Sequence, residues 1–244
     1  MSPLHSRDFG LDADRAGPPD SLAGAIRRRL GGRFPTDPFG LDPHLCDLVA
    51  PVFDSVVRVS VVGAEHLADG GGVLVANRGL GIGEPAALGV AVRRSLGRRI
   101  RVVGAPPLPV VGDATRRLGA IASTPDDLAA ALRAGHLVAT PLAPTWLRTG
   151  AGEPPLELVQ AMMGFPVHPA AVTPAGPFGT ALSGWRVRIG QAVRLDGTYP
   201  AGDPLGAAEL AEAVRHGVAA LLRDEAEPDD EADRATPGLA VPGR

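Results

Sequence analysis

The sequence contains no lysine: all 24 of its Lys and Arg positions are arginine. Glycine (32 residues) and proline (25 residues) are abundant instead, a bias that GC-rich coding explains without selection against lysine. There is a single cysteine, Cys46, which excludes an intramolecular disulfide and fits a reducing compartment. Cys46 stands among apolar, helix-patterned neighbours and reads as a packed thiol rather than a reactive one. No run approaches the ~20 apolar residues of a membrane-spanning helix. The opening MSPLHSRDFGLDADRAGPPD lacks the basic-then-apolar order of a signal peptide. These absences predict a cytoplasmic protein whose membrane contact is peripheral, at the inner surface. No histidine pair has metal-ligand spacing with suitable partners, and no G-x-S-x-G elbow is present.

What is present is a chain of 244 residues, 45% hydrophobic and 21% charged, enough for one domain with a proper core. The net charge of -3 hides an asymmetry. From Asp224 onward there are seven acidic and two basic residues, which leaves a net +2 on residues 1–223. A mildly basic body suits anionic lipid or phosphate but is no nucleic-acid footprint. Residues 1–20 are aperiodic and Pro/Gly/Asp-rich, and 224–244 are acidic; both read as disordered tails around a domain at 21–223.

Within that domain the hydrophobic period alternates. SLAGAIRRRL (21–30) reads as a short amphipathic helix, and Leu45, Leu48, Val49, Val52 and Phe53 give a second from Pro43 to about Val57. Strands are predicted at 57–63, 71–77, 99–105, 136–141 and 167–174. Helices are predicted at 84–96, 111–121 (leading into a further strand), 123–135, 154–164 and 203–225. GWRVRIGQAVRL (184–195) reads as two short strands meeting at Gly190. Strands alternating with helices indicate an α/β domain with a mixed, mostly parallel sheet flanked by helices.

The most pointed feature is VLVANRGLGIGEP (73–85), a strand, a glycine loop and a helix start, where backbone N–H groups can cradle a phosphate. As a dinucleotide fingerprint it is incomplete. The glycines run G-x-G-x-G, and the next strand offers no acidic residue for a ribose. A nucleotide-binding module using the 79–83 loop stands as one alternative.

A second reading comes from order. VLVANRGLGIGEPAAL, RIRVVG, LGAIASTPDDLAAALRAGHLVATPLA, FPVHPAAVTP and VRIGQAVRL follow one another in a succession that resembles the phospholipid/glycerol acyltransferase family, in particular its actinobacterial lysophospholipid acyltransferase-like branch, over roughly residues 43–195. The resemblance implies a His general base after the Asn that ends the first of these strands, an Asp that orients it, and a Pro-Glu-Gly segment that binds the acceptor. It implies no resident cofactor, with acyl-CoA or acyl-carrier protein as acyl donor. Asn77 matches. Arg78 stands at the His position, Glu84 at the Asp position, and Pro141-Leu142-Ala143 at Pro-Glu-Gly. Gly79 belongs to the same loop, and Arg148 stands where the family places a cation near the acceptor phosphate.

A guanidinium has no lone pair for a proton at neutral pH, so Arg78 is no general base. Losing a positioned base removes a factor of ~10²–10⁴ in rate. The resemblance therefore implies an impaired acyltransferase that binds lipid, an acyl chain or a protein partner. An active acyltransferase for a lysophospholipid or related alcohol is the alternative. His168 reads as a capping or surface histidine, with a substitute base as its alternative; His44, His66, His136 and His216 read as structural or solvated. Asp126 and Asp127 read as first-turn helix charges. Arg93, Arg94, Arg98, Arg99, Arg101, Arg116 and Arg117 form a basic stretch with two readings, a solvated surface or a contact for anionic headgroups.

Overall fold

The computed structural model describes residues 36–67, 70–77, 83–104, 109–142, 155–175, 184–195 and 197–226. Helix α1 (Pro43–Val56) starts at Asp42, whose side chain accepts the Leu45 N–H, with Pro43 in the first turn where no N–H is needed. Strand β1 (Val59–Val62), a 3-10 turn (Ala64–His66) and β2 (Gly72–Ala76) follow. Then come α2 (Gly83–Leu96), β3 (Ile100–Val103), α3 (Pro109–Arg117) and β4 (Ala120–Ile121). Helix α4 (Pro125–Arg133), β5 (Leu137–Pro141), α5 (Leu156–Met162), β6 (Val167–Pro174), β7 (Trp185–Ile189) and α6 (Pro204–Ala226) complete the order.

The seven strands form one sheet in the order β1-β7-β6-β2-β5-β3-β4. Strands β2 to β6 run parallel to one another, and β7 reverses against β6, with β1 parallel to β7. The expected α/β architecture with a mixed, mostly parallel sheet is the observed one. Central β2 is buried at every position, as a strand covered on both faces must be, and its continuous apolar run reflects that. Leu74 and Ala76 of β2 pack with Ala87, Leu88, Val90 and Ala91 of α2 on one face. Val73 and Val75 face α4, α5 and α6 on the other, against Leu128, Leu158, Leu210 and Val214.

Two expectations change. The 184–195 segment forms one strand, not two: β7 stops at Ile189, and 191–195 is not a strand. The reason is at Pro169, the β6 residue next in register: Gly190 N–H donates to its carbonyl at 2.8 Å, but proline has no N–H to return the bond. The ladder ends there, although Val193 N–H still reaches the Val167 carbonyl at 2.8 Å. Helix α6 also continues to Ala226, past the tail boundary expected at 224. The helix expected at 21–30 lies outside the described residues. Among the described residues no helix is long and apolar enough to cross a membrane.

Candidate functional site

In parallel sheets, side chains able to meet a ligand gather where the strands end. That carboxyl edge here carries Asn77 after β2, Gly104 after β3, Leu142 after β5, and the first turn of α2. Asn77 is fixed by two bonds to β6: its N–H donates to the Ala170 carbonyl at 3.2 Å, and its Oδ1 accepts the Val172 N–H at 2.7 Å. Leu142 N–H donates to the Ala76 carbonyl at 2.8 Å, and the leucine side chain is buried in the α4–α6 core. Pro141 pairs in register with Ala76 and is half-buried. Glu84 lies in the first turn of α2, followed by Pro85. The structure thus gathers Asn77, Glu84, Pro141 and Leu142 at one edge, while Arg78, Gly79, Ala143 and Arg148 lie outside the described residues.

The histidines are placed elsewhere. His168 pairs with Leu74, three residues and about 10 Å of strand before Asn77. It is buried, its Nδ1 is 3.0 Å from the Gly190 carbonyl, and burial pushes its pKa below the ordinary histidine value. Since a carbonyl only accepts, that nitrogen carries the proton of a neutral ring. His136 precedes β5 at the opposite, amino edge, packed edge-on to Phe39 with ring centroids 5.4 Å apart. His66 is held by the Ile189 carbonyl at 2.9 Å, and His216 is exposed on α6. His168 therefore does not reach the candidate site as a substitute base. His44 stands in the first turn of α1, and Asp126 and Asp127 stand in the first turn of α4, capped by Thr124.

A feature without sequence signal is a cleft of about 330 Å³ on the α1/α2 face. At the carboxyl edge it is lined by Pro85 and Ala86 of α2 and by Val103 and Gly104 at the end of β3. Gly89 and Val90 of α2 continue one wall, and Thr115 and Leu118 by α3 form another. Helix α1 lines it with Cys46, Asp47, Val49, Ala50 and Phe53, and Arg93, Arg98 and Arg99 complete the lining at the amino edge. This helix lies across the amino edge, tied there through polar contacts: Asp47 pairs with Arg99 at 2.6 Å, Arg93 reaches the Ala50 carbonyl at 3.3 Å, and Asp42 N–H reaches the Arg117 carbonyl at 3.0 Å. Although its apolar residues recur at helical spacing, α1 contains no fully buried residue. Its inner face borders empty space where a core would normally be.

Cys46 belongs to this lining. The half-buried thiol lies 3.6 Å from the Arg117 carbonyl, and desolvation by burial pushes its pKa up to about 11. Most of the arginine stretch is paired within the fold, while Arg117 is exposed. Arg93 and Arg94 pair with Asp54, Arg99 pairs with Asp47, Arg98 donates to the Gly70 carbonyl at 2.6 Å, and Arg116 pairs with Asp113. Arg101 is wholly buried and ion-pairs with Asp37.

No protein-family model matches the chain. Over 131 residues it is 35% identical to an uncharacterized protein of Mycobacterium leprae (strain TN), covering 49% of this chain and 36% of that protein. An uncharacterized protein of Mycobacterium tuberculosis (strain ATCC 25618 / H37Rv) matches at the same identity, over 49% of this chain and 37% of its own length. The match thus spans little more than a third of the curated relatives' length.

Proposed function

We propose that this chain is a phospholipid/glycerol-acyltransferase-type protein that binds a long acyl chain and is impaired in acyl transfer. The observation that carries the reading is the cleft between α1, α2 and the β3–β4 side of the sheet, whose lining is mostly apolar. A water-filled apolar void is costly, and each methylene moved into it contributes ~0.8 kcal/mol. An acyl chain is the ligand class whose chemistry fits a mostly apolar cleft of this size. Impairment is supported by the residue types at that edge. Position 78 is arginine and position 142 a core leucine, and the two buried histidines sit toward the opposite edge. Peripheral membrane contact belongs to the same reading, since α1 exposes Val52 and Val56, which do not line the cleft.

The test is thiol release from palmitoyl-CoA over a panel of lysophospholipid and glycerol-phosphate acceptors, with Arg78→His run alongside and binding followed by calorimetry. The expected result is saturable binding by the wild type, with no acceptor-dependent turnover. Turnover by the wild type that Arg78→His leaves unchanged would make the protein an active acyltransferase with another base. Absence of any acyl-chain binding would remove the reading altogether.

A further inference from the structure

Helix α1 covers the cleft without belonging to the core. The residues just before and after it, Leu41 with Asp42 and then Val57, are buried, whereas none of the 14 residues from Pro43 to Val56 is. Its inner side lends Cys46, Val49, Ala50 and Phe53 to the cleft, while Val52 and Val56 are exposed. The opposite wall is fixed, because Ala87, Leu88, Val90, Ala91 and Val92 of α2 are all buried in the core. One wall of the cleft is thus anchored by packing along its length, and the other only at its two ends.

What holds the middle of α1 down is polar. Asp47 pairs with Arg99 at 2.6 Å, and Asp54 ion-pairs with Arg93. Arg93 also donates to the Ala50 carbonyl at 3.3 Å, and Arg94 to the Asp54 carbonyl at 2.7 Å. The cations belong to the end of α2 and the residue before β3, and every acceptor belongs to α1. Pro51 stands between the two aspartates. Having no N–H, it cannot serve the Asp47 carbonyl one turn earlier, so the helix is weakest between its fastenings. The Arg93 and Asp54 side chains are 25% and 30% exposed, and water replaces either partner of such a pair at little cost.

We propose that α1 is a strap over the cleft, which lifts about its buried ends and is latched shut by the Asp54–Arg93 and Asp47–Arg99 pairs. The ligand it admits is the acyl chain of the reading above; the proposal rests on that reading for the ligand and not for the motion. A chain that enters between the two walls must displace one of them. Moving α2 would tear close-packed core apart, whereas lifting α1 breaks a few polar contacts and uncovers residues that already border a void. Opening is therefore a local event, of lower free energy than unfolding.

The experiment follows a buried thiol behind the strap. Val90 lines the cleft from α2 and is 2% exposed. With Cys46→Ser, Val90→Cys carries the only thiol of the chain, and its reaction with a maleimide reports the open fraction when reclosing outpaces labelling. Asp54→Asn and Arg93→Gln each break the latch, and each should raise the rate about three- to fivefold. A direct effect of charge on the thiol would move the two variants in opposite directions, because one loses a negative charge and the other a positive one. Below the unfolding transition the rate should respond weakly to urea, whereas labelling through global unfolding would climb with the full denaturant slope. Rates unchanged in both variants, shifts of opposite sign, or the full urea slope would each overturn the strap.

A second readout needs no introduced cysteine. Asp54 does not line the cleft, so Asp54→Asn alters the latch and leaves the lining as it is. Stopped-flow mixing with palmitoyl-CoA should show association and dissociation both faster in this variant, by about the factor seen for the thiol, with Kd within about twofold of wild type. Binding with an unchanged association rate overturns the strap as the way in. Faster thiol labelling in both latch variants, with no binding of palmitoyl-CoA, overturns the acyl-chain reading and leaves the strap standing.

Discussion

The Asn77 side chain holds the end of β2 to β6 by accepting the Val172 N–H at 2.7 Å. The bond spans 95 residues of sequence and sets the level of the candidate site against the neighbouring strand. Asn77→Ala would leave that N–H without its acceptor, at a cost of about 1–3 kcal/mol. Asn77→Asp retains an oxygen at the same place and should cost less. Urea denaturation of both variants checks this. Equal loss in the two would mean that the oxygen is not what matters.

Among the described residues Arg101 is the arginine with no side-chain exposure, and it pairs with Asp37 in the segment before α1. It also lies near the Phe39 ring, at 5.9 Å from its centroid. Through this contact the segment leading into α1 is fastened to β3. Asp37→Ala removes one member of a buried ion pair, which typically costs about 3–5 kcal/mol. Replacing Arg101 by Met together with Asp37→Ala removes both charges. The double variant should recover part of the loss, as a thermal melt would show. A double variant less stable than Asp37→Ala would indicate that the guanidinium contributes through packing instead.

The fold was legible where local chemistry decides it. The apolar run at 72–76, the Thr124 cap and the Asp42-Pro43 start mark their elements without reference to the rest of the chain. Pairing order was not legible, because nothing near Trp185 indicates that β7 reverses against β6. Arg101 was read with the surface arginines, although its place between Ile100 and Val102 was a usable signal that it lies in a covered strand. The candidate site was partly legible. Asn77, Glu84, Pro141 and Leu142 gather at one edge because strand ends and the start of α2 lie there. The cleft had no signal, since a void depends on how far α1 stands from α2 and β3. The helical spacing of Leu45, Leu48 and Val49 predicts only an inward face.

His168 gives the fold a pH dependence with a definite sign. Burial lowers its pKa below 6.5, against the Gly190 hydrogen bond, which raises it. Between the lowered folded value and 6.5 the unfolded chain therefore binds more protons than the folded one. Its contribution to stability is complete above 6.5 and declines as pH falls through the folded value. Stability measured from pH 7.5 down to 5 should fall, and His168→Gln should flatten part of that slope. A slope identical in the variant would assign the acid sensitivity to other groups.

Cys46 reports on the cleft from inside. Its pKa of about 11, raised from 9.0, cuts the thiolate fraction at neutral pH by roughly a hundredfold. Alkylation of the folded protein by a maleimide at pH 7.5 should be slower than that of the unfolded chain by about the same factor, access permitting. Because Cys46 lines the floor with Val49 and Phe53, a chain that reaches α1 should slow it further. A series of acyl-CoA lengths then measures the depth of the slot. Short chains should leave the rate unchanged, and protection should appear once the chain end reaches α1. Gly89→Leu should abolish protection at every length, because it obstructs the wall above the floor without touching the thiol. Protection that persisted in that variant would place the ligand outside the cleft.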